Sequence, residues 1–211
     1  MIRRLLRRLR GDTSGVALIE FAITLPALVV MCLTGAEITN YIITKMRVSQ
    51  LALHLADNAA RIGSGSQLSS KKITETDIND LLTGAGLQAG ELDLYTRGRV
   101  VISDLEPMAN PNVTGKYKIV WQRCRGSKAY TRAYGTAGQT NLNGMGPAGR
   151  QVDVQPNSAT IFIEVAYDYK PLVGTTLVPA TTFTEIGSMS VRDKRDLSQI
   201  YNTEGATVSS C

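Results

Sequence analysis

Apolar positions along this chain follow three different periods. Over 14–43, read SGVALIEFAITLPALVVMCLTGAEITNYII, they run almost without interruption, and residues 21–36 hold no charged side chain. With the apolar stretches on either side, the run exceeds the roughly 20 residues that a bilayer core requires of a helix, so it predicts a membrane span over 16–43. Pro26 removes one backbone hydrogen bond, a loss that membrane helices tolerate. Over 44–62 the period becomes helical. Met46, Leu51, Leu53, Leu55, Ala56, Ala59 and Ala60 are interspersed with Lys45, Arg47, Gln50, His54, Asp57 and Arg61, until Gly63-Ser64-Gly65-Ser66 stops the pattern. The spacing predicts an amphipathic extension of the same helix. A continuous helix over 16–62 would be about 70 Å long at 1.5 Å per residue, with its lower half in lipid and its upper half free to pack beneath a sheet.

The rest, 63–211, reads as one α+β domain. Thr74-Glu75-Thr76-Asp77 supplies a helix cap with acidic residues in the first turn, Ile78, Leu81 and Leu82 form a narrow stripe, and Gly84-Ala85-Gly86 is expected to end that short helix. Period-two patterning then predicts four strands, over 99–104, 116–124, 159–169 and 182–191. In the second, Tyr117, Ile119 and Trp121 share a face; in the third, Ile161, Ile163, Val165, Tyr167 and Tyr169 oppose Thr160, Glu164 and Asp168. No helical crossover separates the strands, so the sheet is expected to be antiparallel, with one face on the long helix. The Gly-rich stretch at about 126–157 reads as a long loop, either a contact for a partner subunit or disordered. The mixed charges from Arg192 to Asp196 read as a solvated tail.

Charge changes the picture only at the N-terminus. The net charge is +5, and Arg3, Arg4, Arg7, Arg8 and Arg10 supply five positive charges in the first ten residues. Residues 1–15 therefore read as a basic cytoplasmic leader that orients the span and sends 63–211 across the membrane, into the periplasm or beyond. No nucleic-acid partner is needed. A cleaved secretory signal fits poorly, because the apolar run is too long and Thr34-Gly35-Ala36 is the nearest approach to its cleavage site. Of three cysteines, Cys32 lies in the span, while Cys124 and Cys211 lie in the translocated part, where thiols commonly pair. An intramolecular bridge between Cys124 and Cys211 is expected, in preference to free thiols or a Cys211 joined to another chain.

The one carboxylate near the start of the span is Glu20. An ionised carboxylate deep in a lipid-embedded helix costs about 2.5 to 3.5 kcal/mol. A cut between Gly15 and Val16 would supply compensation, since the new amino group on Val16 of one chain lies at the membrane depth of Glu20 in its neighbour. The basic leader ending in Gly15, the sequence Gly15-Val16-Ala17-Leu18-Ile19-Glu20-Phe21-Ala22, and the Leu25-Pro26 that follows resemble type IV pilin-like proteins, in particular the TadE-like minor pilins of the tight-adherence (Flp) pilus system. The resemblance implies processing by a prepilin peptidase and assembly with other pilin and minor pilin subunits at a pilus assembly platform in the bacterial inner membrane, with a role in assembly, initiation or adhesion. It also implies the helix-under-sheet pilin fold and is compatible with a C-terminal disulfide. The other reading is a single-span, signal-anchored envelope protein whose outer domain binds a partner or surface without entering a pilus. No catalytic constellation is present in the sequence: His54 is the sole histidine, Asp196-Leu197-Ser198-Gln199-Ile200 departs from the metal motif of the adhesion domains carried by some larger relatives, and neither a metal nor a cofactor is expected.

Overall fold

The computed structural model describes residues 14–65, 69–174 and 181–211. The described residues form two compact units: one contains 14–42 with 171–174, the other 43–65, 69–170 and 181–211.

Helix α1, Ser14–Ala59, runs through Pro26 and contributes to both units. Its first part is exposed throughout and long and apolar enough to cross a membrane. Its last part is different. Val48, Leu51, Ala52, Leu55, Ala56 and Ala59 recur at helical spacing, and all are buried, which makes this the half that packs on the sheet. The approach is close: a Cβ on Gly187 would stand 2.5 Å from the carbonyl oxygen of Ala52. Two small residues at that crossing let backbone meet backbone.

Helix α2, Glu75–Ala89, begins with a reciprocal cap, in which Asp77 N–H donates to Thr74 Oγ1 (3.1 Å) and Thr74 N–H donates to Asp77 Oδ2 (2.9 Å). Gly84-Ala85-Gly86 does not end it. The buried stripe Ile78, Leu82, Ala85, Ala89 continues through the glycines, and its burial outweighs the roughly 1 kcal/mol that each glycine costs in a helix interior. A 3-10 turn, Gly90–Leu92, and one helical turn, α3, Leu94–Arg97, lead into the sheet.

The sheet comprises β1, Gly98–Pro107; β2, Tyr117–Arg125; β3, Thr160–Asp168; and β4, Thr182–Ser190, in the order β2-β1-β3-β4 with every pairing antiparallel. The fold is therefore α+β, a long helix carrying a four-stranded antiparallel sheet. A bulge interrupts β2: Ser103 pairs with Gln122 and Leu105 with Ile119, so Asp104 stands opposite both Val120 and Trp121. The extra residue breaks the period of two. Tyr117 and Ile119 enter one apolar cluster, whereas Trp121 lines a small cavity with Ile73, Asp104 and Arg195.

Both faces of the central strands are buried, including Thr160, Phe162, Glu164 and Ala166 of β3. Of the polar residues on the face opposite Ile161 and Ile163, Thr160 and Glu164 are covered by the Gly-rich stretch, Thr160 donating to Asp153 O (3.0 Å) and Glu164 accepting from Tyr130 and Ala133. The stretch is ordered against the sheet, while residues 136–141 and 148–151 within it stay exposed. Met145 and Val154 pack with Leu105, Tyr117, Ile119 and Phe162 in a second core, and the segment bonds to the outer edge of β2 through Tyr117 N–H to Leu142 O (2.9 Å) and Ile119 N–H to Gln139 O (2.9 Å). That edge is thereby closed to strand addition.

The tail is also ordered by specific contacts. Arg195 Nη2 donates to the carbonyls of Ala59 (3.1 Å) and Ile62 (2.8 Å). These are orphan carbonyls at and just beyond the end of α1, where a cation is favourable.

Candidate functional site

The candidate site is the exposed part of α1. Gly15, Val16 and Glu20 fall within it, and Val16 and Glu20 are exposed. Glu20 lies one turn beyond Val16 and is the one charged residue over 15–36; Phe21 beside it is 60% exposed. The five leader arginines lie outside the described residues. Gly15 is helical, and a Cβ placed on it would meet nothing within 4 Å. No contact among the described residues therefore calls for a glycine at that position. Cys32 is exposed on the same stretch as a free thiol.

Cys124, on β2, and Cys211 are joined in a disulfide. The N–H of Cys124 also donates to Ser209 O (2.8 Å), so the chain end is fixed against the sheet by covalent and backbone bonds together. His54 on α1 hydrogen-bonds Gln88 of α2 through Nδ1, a packing role. Among the described residues no group of three or more His, Cys, Asp or Glu could hold a metal ion.

Sequence reasoning did not anticipate three buried polar groups. Glu75 pairs with Arg123 of β2, whose Nε donates to Oε2 at 2.8 Å. Glu164 Oε2 accepts from Tyr130 O–H (2.8 Å) and Ala133 N–H (3.0 Å), so a carboxylate at the centre of the sheet fixes the start of the covering segment. Asp104 and Glu106, two apart on β1, form a carboxyl pair, with Lys118 3.5 Å from Glu106. Period-two patterning marks such positions only as polar; which of them a neighbouring segment will cover is not encoded in their own strand.

Burial pushes Asp104 well above the ordinary carboxylate range, reinforced by the charge of Glu106. Burial also raises Glu106, against Lys118, and raises Glu164 against its hydrogen bonds from Tyr130 and Ala133. A carboxyl raised on folding binds its proton more tightly in the folded state, so its stabilisation is full below the unfolded value and is lost as pH rises through the folded one. Asp168, Asp193 and Asp196 shift down through hydrogen bonds and cations, most of them against little burial, and they weaken only at more acid pH. The melting temperature is therefore expected to rise as pH falls from about 7 to about 5. The double variant Asp104→Asn, Glu164→Gln should flatten that slope, as read by circular dichroism melts across the range.

Together these features define a class: an α+β protein with one exposed N-terminal helix long and apolar enough to cross a membrane and a disulfide that holds its C-terminal residue to the sheet. Residues 15–64 match the family model described as TadE-like protein, so over that segment the chain is similar to TadE-like proteins. The match covers the anchor helix and its extension and stops before the sheet. No curated protein and no solved structure matches the chain.

Proposed function

We propose that the chain is a minor pilin-like subunit of a tight-adherence (Flp) type IV pilus. It is inserted in the bacterial inner membrane by its basic leader, cut by a prepilin peptidase between Gly15 and Val16, and assembled with other pilins at the pilus platform, its C-terminal domain in the periplasm. The observation that carries the reading is the exposed helix itself. Within a segment similar to TadE-like proteins, a carboxylate at Glu20 lies five residues after a glycine whose Cβ position is open space, on a surface that no other described part of the chain covers. Such a helix is suited to two environments in turn, lipid before assembly and the helices of neighbouring subunits after it. Within a bundle, the Val16 amino group of one subunit pairs with Glu20 of the next and removes the cost of a lone charge in an apolar medium. The role is structural, as that of the TadE-like family is.

Intact-mass measurement of the protein extracted from membranes tests the processing step. The expected mass begins at Val16 in cells with an active prepilin peptidase and at Met1 in cells lacking it. Retention of residues 1–15 in both strains would reject cleavage.

A further inference from the structure

Near its outer end the anchor helix is amphipathic in the sense opposite to that required by water. Leu33, Ile38 and Ile42 are exposed, Thr34, Asn40 and Tyr41 are half-buried, and Glu37 is fully buried. Apolar side chains outward and a carboxylate inward suit a helix surrounded by hydrocarbon. What covers Glu37 is the turn at 171–174, which belongs to the same compact unit. Glu37 Oε2 accepts from the backbone N–H of Leu172 and of Val173, each at 2.8 Å. The carboxylate thus takes up two backbone donors while the two side chains point away, Leu172 67% and Val173 40% exposed. Residues 171–180, PLVGTTLVPA, contain no charge.

The height of this tip follows from the helix. The rise from Val16 to Glu37 is about 30 Å at 1.5 Å per residue, which is about the thickness of a bilayer's hydrocarbon core. Leu172 and Val173 are therefore held where the hydrocarbon ends. Two side chains offer far less surface than a stable protein interface buries, and the polar group behind them is already bonded within the chain. Lipid is the occupant that fits.

We propose that the turn at 171–174 is a second membrane contact, in which Leu172 and Val173 seat in the boundary of the leaflet remote from the leader and Glu37 holds the turn in place. The anchor is then a helix with a foot. The proposal goes beyond pilus assembly and requires only that α1 spans the bilayer.

Full-length protein with Cys32→Ser, carrying Leu172→Cys, Val29→Cys or Val113→Cys, is labelled with an environment-sensitive fluorophore and reconstituted at high lipid dilution in phosphatidylcholine–phosphatidylglycerol vesicles. Val113, 88% exposed in the β1–β2 loop, serves as the aqueous reference, and Val29 reports the span. The Leu172 probe is expected to be quenched by a nitroxide placed near the headgroup end of the lipid chain and to be several-fold less sensitive to iodide than the Val113 probe. Adding Glu37→Ala is expected to restore iodide access at Leu172 while Val29 stays in lipid, and Glu37→Gln, which keeps an acceptor, to retain most of the protection. Equal iodide quenching at Leu172 and Val113 with Val29 protected would overturn the proposal without touching the span. Protection that appears only at high protein density would overturn it in favour of a second copy. A Val29 probe exposed to iodide would remove the span and the foot together.

Discussion

Cells carrying Glu20→Ala are expected to contain a folded, membrane-inserted protein and to lack pili. Glu20 is exposed on the apolar stretch of α1, and the sheet and its two cores are built from residues 43 onward, so its loss leaves the C-terminal domain untouched. Insertion should become slightly easier, because a carboxylate in a lipid-embedded helix costs about 2.5 to 3.5 kcal/mol. Assembly is where the loss tells. Without Glu20 the Val16 ammonium of the neighbouring subunit is left in an apolar bundle with no counter-charge, and breaking one partner of a buried pair costs about 3 to 5 kcal/mol per contact. Repeated over successive subunits, that is enough to stop growth. Electron microscopy of pili, with immunoblots of membrane fractions as the control for protein level, reads the result. Normal piliation in the variant, combined with loss in cells lacking the protein, would remove the ion pair from the mechanism while leaving the need for the protein itself intact. Normal piliation in both strains would remove the assembly role.

The second large effect concerns the C-terminal bridge. Cys124 and Cys211 are 87 residues apart in sequence, and closing a loop of that length stabilises a fold by about 4 kcal/mol on the chain-entropy model. Cys211→Ser is expected to lower unfolding stability by about that amount, as read by denaturant titration, and reductant should lower the parent to the same level without changing the variant. The cost extends beyond the bridge. The same tail carries Arg195, whose guanidinium holds the carbonyls of Ala59 and Ile62, so a loosened tail also frees the end of α1, and hydrogen exchange should rise at Ala59 to Ile62 before it rises in β1. In the parent, alkylation before reduction should leave both cysteines unmodified; two added alkyl groups on them would show free thiols.

The anchor and the strands were legible in the sequence because each rests on a period that a short stretch carries alone. An uncharged run of bilayer length can be only a few things, and the alternation in β3 identifies a strand wherever that strand is placed. Gly15, Val16 and Glu20 are read in the same way, from their spacing, and the processing and pairing proposed for them rest on that spacing. The strand ends were close as well, since turn residues bound them. What the sequence did not decide is what each polar or small residue meets. Glu164 alternates as a surface residue should and is buried because a stretch some thirty residues earlier folds over it. The Gly-rich segment looked unstructured because its own apolar content is sparse; it is ordered because Met145 and Val154 find a sheet face already made. Arg195 sits in a charged run and serves as a helix cap only because the chain end returns to α1. Glu37 marks the outer edge of the span by its charge, yet only the fold supplies the two N–H groups of Leu172 and Val173 that make it a clamp. Local period is written in consecutive residues, whereas burial of a polar group depends on partners some thirty to more than a hundred residues away.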